Sequence, residues 1–216
     1  MSGDDPRQSA VERQEGLLAQ ASQSFGDEHP HTLTAMLDLA EALWTQGRLI
    51  AARRLEEQVV SSRRRLLGPA HAETLKATGK LAVTMAAQGE LAEARQLQEE
   101  VVAGMRALDG ETGRDTLRAI NNLAGTIAAQ GDLGAARELL QSVIAAIIDE
   151  YGEQHPDCLA AMGNLAGILW QEGDHAEAYE LQRQVVELYR RVDGAGDRTT
   201  LAAAAVLETM ERDGGF

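Results

Sequence analysis

The sequence is poor in the residues that lock small folds or build reactive centres. One cysteine, Cys158, stands among 216 residues, so no internal disulfide can form. Proline is confined to Pro6, Pro30, Pro69 and Pro156, and aromatics make up only 3% of the chain, while helix formers dominate. That combination predicts an all-α fold. Basic residues are outnumbered, 20 Lys and Arg against 34 Asp and Glu, giving a net charge of −14. Nucleic acid is therefore not an expected partner, because phosphates call for a net basic surface. No apolar run approaches a membrane span, and Met1 to Arg13 carries charges where a signal peptide needs an apolar stretch. No membrane partner and a cytoplasmic location are expected. There is no Gly-rich phosphate loop, no nucleophile elbow, no HExxH and no zinc-type His/Cys spacing. The reading is of a chain that is not an enzyme, with no cofactor, no metal and no catalytic residues.

What is present is a period. Leu33, Leu75, Leu117, Leu159 and Leu201 are 42 residues apart (75 − 33 = 42) with no insertion. Leu39, Gly47, Ala52 and Val59 recur with the same step, as Leu81, Gly89, Ala94 and Val101 and onward. A fixed period of this length marks a stacked repeat architecture. Within each unit a first apolar stripe (Leu33, Met36, Leu39, Ala40, Leu43) predicts a helix over Pro30 to Gln46. Gly47 supplies its end. A second helix is predicted over Leu49 to Leu67, with Ala52, Leu55 and Val59 inward, Arg53, Glu56 and Glu57 facing water, and Gly68 after it. Each pair is a helical hairpin that completes its core by stacking. Residues 27–68, 69–110, 111–152 and 153–194 form four such units. Residues 1–26 hold a preceding second helix, with Ala10 matching Ala52 and Leu17 matching Val59. Residues 195–216 hold a following first helix that is expected to cap the stack and to cover Leu159 and Leu165.

The pattern Leu39, Ala40, Leu43, Gly47, Ala52 and Val59 resembles the tetratricopeptide repeat. The long unit and the segments His29 to Leu33, Ile120 to Ala124 and His155 to Ala166 are similar to its 42-residue kinesin-light-chain-like subclass. The resemblance implies a right-handed α-solenoid superhelix of antiparallel helix pairs. It also implies a concave face made by the first helices and a role in binding proteins or extended peptides.

Candidate binding residues are those on the first helices opposite the apolar stripe. They are Asp38 and Glu41, then Lys76 and Lys80, then Arg118, Asn121, Asn122 and Gly125, then Asn164, Gly167 and Gln171. Asn122 and Asn164 lie where the long-repeat family often places a groove asparagine, and an amide can clamp a peptide backbone by donating and accepting at once. Lys76, Lys80 and Arg118 read as a basic strip for a segment with a few carboxylates, centred on repeats two and three. Gly125 and Gly167, with flanking Gly79 and Gly163, cost about 1 kcal/mol each inside a helix relative to Ala; they serve either close approach of a ligand or close approach of a neighbouring helix.

The remaining features read as structural. His29, His71 and His155 recur at helix starts, and Cys158 replaces Thr32, Thr74, Thr116 and Thr200 as a small buried residue. Arg63, Arg64 and Arg65 suit a helix C-terminus. Trp44 and Trp170 are expected to pack between hairpins, the alternative being a pocket. The leading function is a non-catalytic protein- or peptide-binding scaffold. The alternatives are a self-associating or regulatory sensor scaffold, with a possible homo-oligomer, and an enzyme or small-molecule binder using the groove as a pocket.

Overall fold

A computed structural model describes residues 6–214; Met1 to Asp5, part of the charged start, and Gly215 and Phe216 lie outside the described residues. Ten α-helices and no strands occur among the described residues. They are α1 (Pro6–Phe25), α2 (Pro30–Thr45), α3 (Leu49–Leu67), α4 (Ala72–Ala87), α5 (Leu91–Asp109), α6 (Arg114–Ala129), α7 (Leu133–Tyr151), α8 (Pro156–Glu172), α9 (His175–Val192) and α10 (Arg198–Gly214). The chain divides into two compact units meeting at Leu108 and Asp109.

In the first unit α1 packs on α2, α2 on α3 and α3 on α4. Its core has two clusters. Val11, Leu39, Ala40, Leu43 and Ala52 join α1 to the first hairpin, and Leu33, Leu37, Val59, Val60, Ala77, Leu81 and Met85 join that hairpin to the next. In the second unit α6 packs on α7, α7 on α8, α8 on α9 and α9 on α10. The small residues predicted to let helices approach are fully buried: Ala40, Ala82, Ala124 and Ala166 on first helices, Ala52, Ala94, Ala136 and Ala178 on second helices. An alanine here brings the partner helix close, and the longer side chains around it fill the remaining space.

The turns explain the constant period. At the end of α2, Gly47 has φ of 74°; its N–H donates to the Trp44 carbonyl at 2.8 Å while the Arg48 N–H reaches the Leu43 carbonyl at 3.0 Å. This is a Schellman closure, which satisfies otherwise orphaned carbonyls and needs a left-handed residue. The same pair of bonds closes α4, α6 and α8. Every left-handed residue described is a glycine, and they fall at one spacing from Gly26 and Gly47 to Gly194 (47 − 26 = 21).

Helix starts bear out the structural reading of the histidines. Nδ1 of His29, His71 and His155 accepts the backbone N–H two residues on, from His31, Glu73 and Asp157. The third repeat has Gly113 at this position and borrows an acceptor instead, the Asp109 carboxylate taking the Asp115 N–H at 3.3 Å. Asp197 serves α10 in the same way, and this bond holds its carboxyl below the usual range.

Three expectations need correction. Glu56 does not face water: it is 4% exposed, with Oε1 accepting from Thr84 Oγ1 at 3.1 Å and Oε2 buried without a partner. Its counterparts are Gln98, Leu140 and Gln182, all buried, so the position points inward. Arg63 to Arg65 do more than complement a helix terminus. Arg63 is buried where other repeats have Met105, Ile147 and Tyr189, and its guanidinium donates to the Glu73 carbonyl at 2.9 Å and pairs with the Glu73 carboxylate at 3.2 Å. Arg64 pairs with Glu100 and Arg65 with Glu28. Arg63 and Arg64 tie the first hairpin to the second, and Arg65 ties the end of α3 to the turn before α2. Finally, Trp44 is 41% exposed rather than packed between hairpins, and Trp170 stacks on His175 of its own hairpin with ring centres 4.3 Å apart.

Candidate functional site

The first helices of each unit present the predicted stripe outward. In the first unit Asp38 and Glu41 of α2 and Lys76 and Lys80 of α4 are all exposed. The two lysines face acids: Lys80 Nζ donates to Glu41 Oε2 at 2.8 Å and Lys76 Nζ lies 4.0 Å from Glu73. Exposed pairs of this kind contribute about 0–1 kcal/mol, so a ligand could replace them at little cost, but they are not free charges. Beneath this face Thr84, one turn on from Lys80, holds the buried Glu56.

In the second unit the stripe runs over α6 and α8. Arg118 lies 3.6 Å from Asp157 and 3.9 Å from Asp115, and Arg114 donates to Asp157 at 2.8 Å. Asn121 and Asn164 are brought together, the Asn164 amide donating to Asn121 Oδ1 at 3.0 Å. Asn122 is exposed, and its carboxamide makes no hydrogen bond among the described residues. Gln171 donates to the backbone carbonyl of Gly167 at 3.4 Å. The contacts across α6 and α8 share a signal present in the sequence: Asn121 with Asn164 and Arg114 with Asp157 are each one repeat plus one residue apart (164 − 121 = 43, 157 − 114 = 43).

The glycines separate into two kinds. A Cβ on Gly79 would sit 3.7 Å from Val101, an ordinary contact, and one on Gly163 would only graze Gln182. A Cβ on Gly125 or Gly167 would meet nothing within 4 Å. Helix crowding therefore does not account for Gly125 and Gly167.

No group of three or more His, Cys, Asp or Glu side chains among the described residues is placed to hold a metal. Cys158 is fully buried and burial pushes its thiol up to about 11, which leaves almost no thiolate at neutral pH. No helix among the described residues is long and apolar enough to cross a membrane.

Sequence profiles described as the tetratricopeptide repeat match residues 115–191, 32–73 and 74–110. No match was found among curated proteins. Among solved structures, a putative kinesin light chain with nearly identical TPR-like repeats from Podosopora anserina is 31% identical. It aligns over 86% of this chain and 88% of that one with a TM-score of 0.63. BtubC (BKLC) from P. vanneervenii shares the fold at 14% identity, covering 98% of this chain and 85% of that one, TM-score 0.68. Bacillus thuringiensis PlcR, solved with the peptide PapR7 and DNA, does so at 13% identity over 94% and 69%, TM-score 0.65. With its helical hairpins, left-handed glycine turns and these matches, the chain belongs to the tetratricopeptide repeat family, of the kinesin-light-chain-like kind.

Proposed function

We propose that the protein is a non-catalytic scaffold whose second unit binds an extended peptide segment along the first-helix face of α6 and α8. The observation that carries this reading is the pair Gly125 and Gly167, one repeat apart, exposed or half-exposed, with open space where a side chain would stand. Solvent alone offers nothing to offset the helix propensity these glycines forgo. A peptide main chain lying against the helix backbone does. Asn122 offers a free carboxamide beside Gly125. Asn164, one turn before Gly167, keeps its carbonyl and second N–H after bonding Asn121. Arg118 and Gln171 flank this strip and suit a carboxylate and a backbone carbonyl on the ligand. In the first unit Asp38, Glu41, Lys76 and Lys80 form the corresponding exposed face. The peptide complex of PlcR, a protein of the same fold, supports the reading.

The test is a display library of random peptides panned against the whole chain, followed by affinity measurement for the winners. Gly125→Ala and Gly167→Ala are each expected to raise stability by about 1 kcal/mol, the Gly-to-Ala helix difference, while weakening peptide binding at least tenfold. Asn122→Ala with Asn164→Ala should weaken it by a similar factor, about 1.4 kcal/mol from two lost backbone hydrogen bonds. Unchanged affinity in all three variants, or crosslinks that map the peptide to the second helices α7 and α9, would exclude this face.

A further inference from the structure

The two end helices expose the residues that every interior hairpin buries. Leu17 on α1 is 49% exposed, whereas its counterparts Val59, Val101, Val143 and Val185 are at most 4% exposed. Leu201 on α10 is 57% exposed, whereas Leu33, Leu75, Leu117 and Leu159 are at most 3% exposed. In the interior these two positions belong to one contact. Leu33 on the first helix and Val59 on the second share a core cluster. The side chain of Leu75 likewise lies so close to Gly104 on α5 that a Cβ there would stand only 2.6 Å from it. Helix α1 is thus a second helix showing the surface that meets a first helix, and α10 is a first helix showing the surface that meets a second.

The polar residues on these surfaces are complementary in the same register. In the first hairpin Leu43 and Leu55 contribute to one apolar cluster with Ala40 and Ala52. At the repeat equivalents, α10 carries Glu211 for Leu43 and Glu208 for Ala40, and α1 carries Arg13 for Leu55 and Ala10 for Ala52. Arg13 and Glu208 are exposed, and neither makes an ion pair among the described residues. Glu211 accepts a hydrogen bond from Tyr179. An aliphatic pair at the interior position is replaced by an acid on one helix and a base on the other.

We propose that the chain associates head to tail with a second copy of itself, α10 of one copy taking α1 of the next as its second helix. Leu201 then packs on Leu17, and Arg13 meets Glu208 and Glu211. The charges select this arrangement over a symmetric one, since α10 against α10 opposes acids and α1 against α1 opposes arginines. The contact is heterologous, so an open assembly of any length keeps one free α1 and one free α10. One helix pair is a small interface, of the size found in weak, reversible complexes.

Sedimentation equilibrium of the whole chain across about 5–500 µM should show a mean mass that climbs with concentration. Leu17→Glu and Leu201→Glu alter exposed positions, so each variant should keep its circular dichroism spectrum and stay monomeric alone. Mixed, they should form a one-to-one dimer, because one retains a working α10 and the other a working α1. Arg13→Glu should weaken association at least tenfold, and mixing it with the Glu208→Arg, Glu211→Arg variant should restore it. A monomer at all concentrations, single variants that still associate, or a mixture that does not recover would each overturn the proposal. None of these outcomes bears on peptide binding by α6 and α8, which is read separately from panning.

Discussion

Replacing Glu56 by Gln is expected to stabilise the protein at pH 7 by about 1–3 kcal/mol, the range for relieving a buried unsatisfied polar group. The carboxyl is buried with one oxygen bonded to Thr84 and the other without a partner. Burial, the largest influence, raises its pKa above the ordinary 4.5; the Thr84 bond and the Lys80 charge on α4 lower it, and Glu57 on its own helix raises it. A raised carboxyl pKa means the folded state keeps the proton longer than the unfolded state does. Stability is therefore undiminished below pH 4.5 and is lost as pH climbs from there toward the folded value. Gln removes the titration. A Gln at the equivalent position also has a partner to copy, since Gln182 donates its amide to the Ala203 carbonyl at 2.8 Å, and the matching carbonyl for residue 56 is that of Ala77. Thermal melts of both proteins from pH 4 to pH 8 should separate progressively above pH 4.5, by about 2–4 °C per kcal/mol for a chain of this length. Parallel curves at all pH values would show that Glu56 is not the titrating group.

Deleting residues 195–216 should have the largest effect on the second unit. Helix α10 packs on α9, and its loss strips Gln182 of its carbonyl partner and removes buried Thr200 and Met210. The surface laid bare includes that of α9 around Gln182, and Leu159 and Leu165 of α8 are expected to be exposed with it. An uncovered second-helix face of this kind costs several kcal/mol, from about 25 cal/mol per Å² of apolar area. A lower melting temperature or aggregation is expected, with helix signal retained in α1 to α5. An unchanged melting curve would show that α10 contributes no stability.

Helices could be read from the sequence almost to the residue, because apolar spacing and terminal glycines report the same boundaries independently. Leu49–Leu67 is as expected, and α2 ends one residue early, at Thr45. Of the residues the stripes set opposite the apolar side, Asn122, Gly125 and Asn164 are exposed and Gly167 is half-exposed. The failures at Glu56 and Arg63 share one cause. Projection at a fixed angle assumes that a charged residue points to water, and both Glu56 and Arg63 break that assumption inside a stack. Reading down the column of equivalent positions corrects it: Gln98, Leu140 and Gln182 mark position 56 as inward, and Met105, Ile147 and Tyr189 mark position 63. Ion pairs such as Lys80 with Glu41 were beyond the sequence because they depend on how neighbouring first helices are staggered. Without that stagger Lys80 looked unpaired, whereas the acids three residues before Lys76 and Arg118, Glu73 and Asp115, were legible in the sequence.

The even spacing of the left-handed glycines has a consequence at the level of the gene. Every hairpin in the chain enters and leaves through the same kind of turn, from Gly26 to Gly194, so an in-frame recombination between equivalent codons joins one helix end to another of the same shape. Loss or gain of a whole hairpin leaves the Schellman closures inside the remaining hairpins untouched, and the chain length becomes a quantity that evolution can adjust in steps of one unit. What such an event does not preserve is side-chain partnership across the junction. A lysine like Lys80 would meet whatever residue then occupies the place of Glu41, and the outward face would change character while the backbone stayed the same.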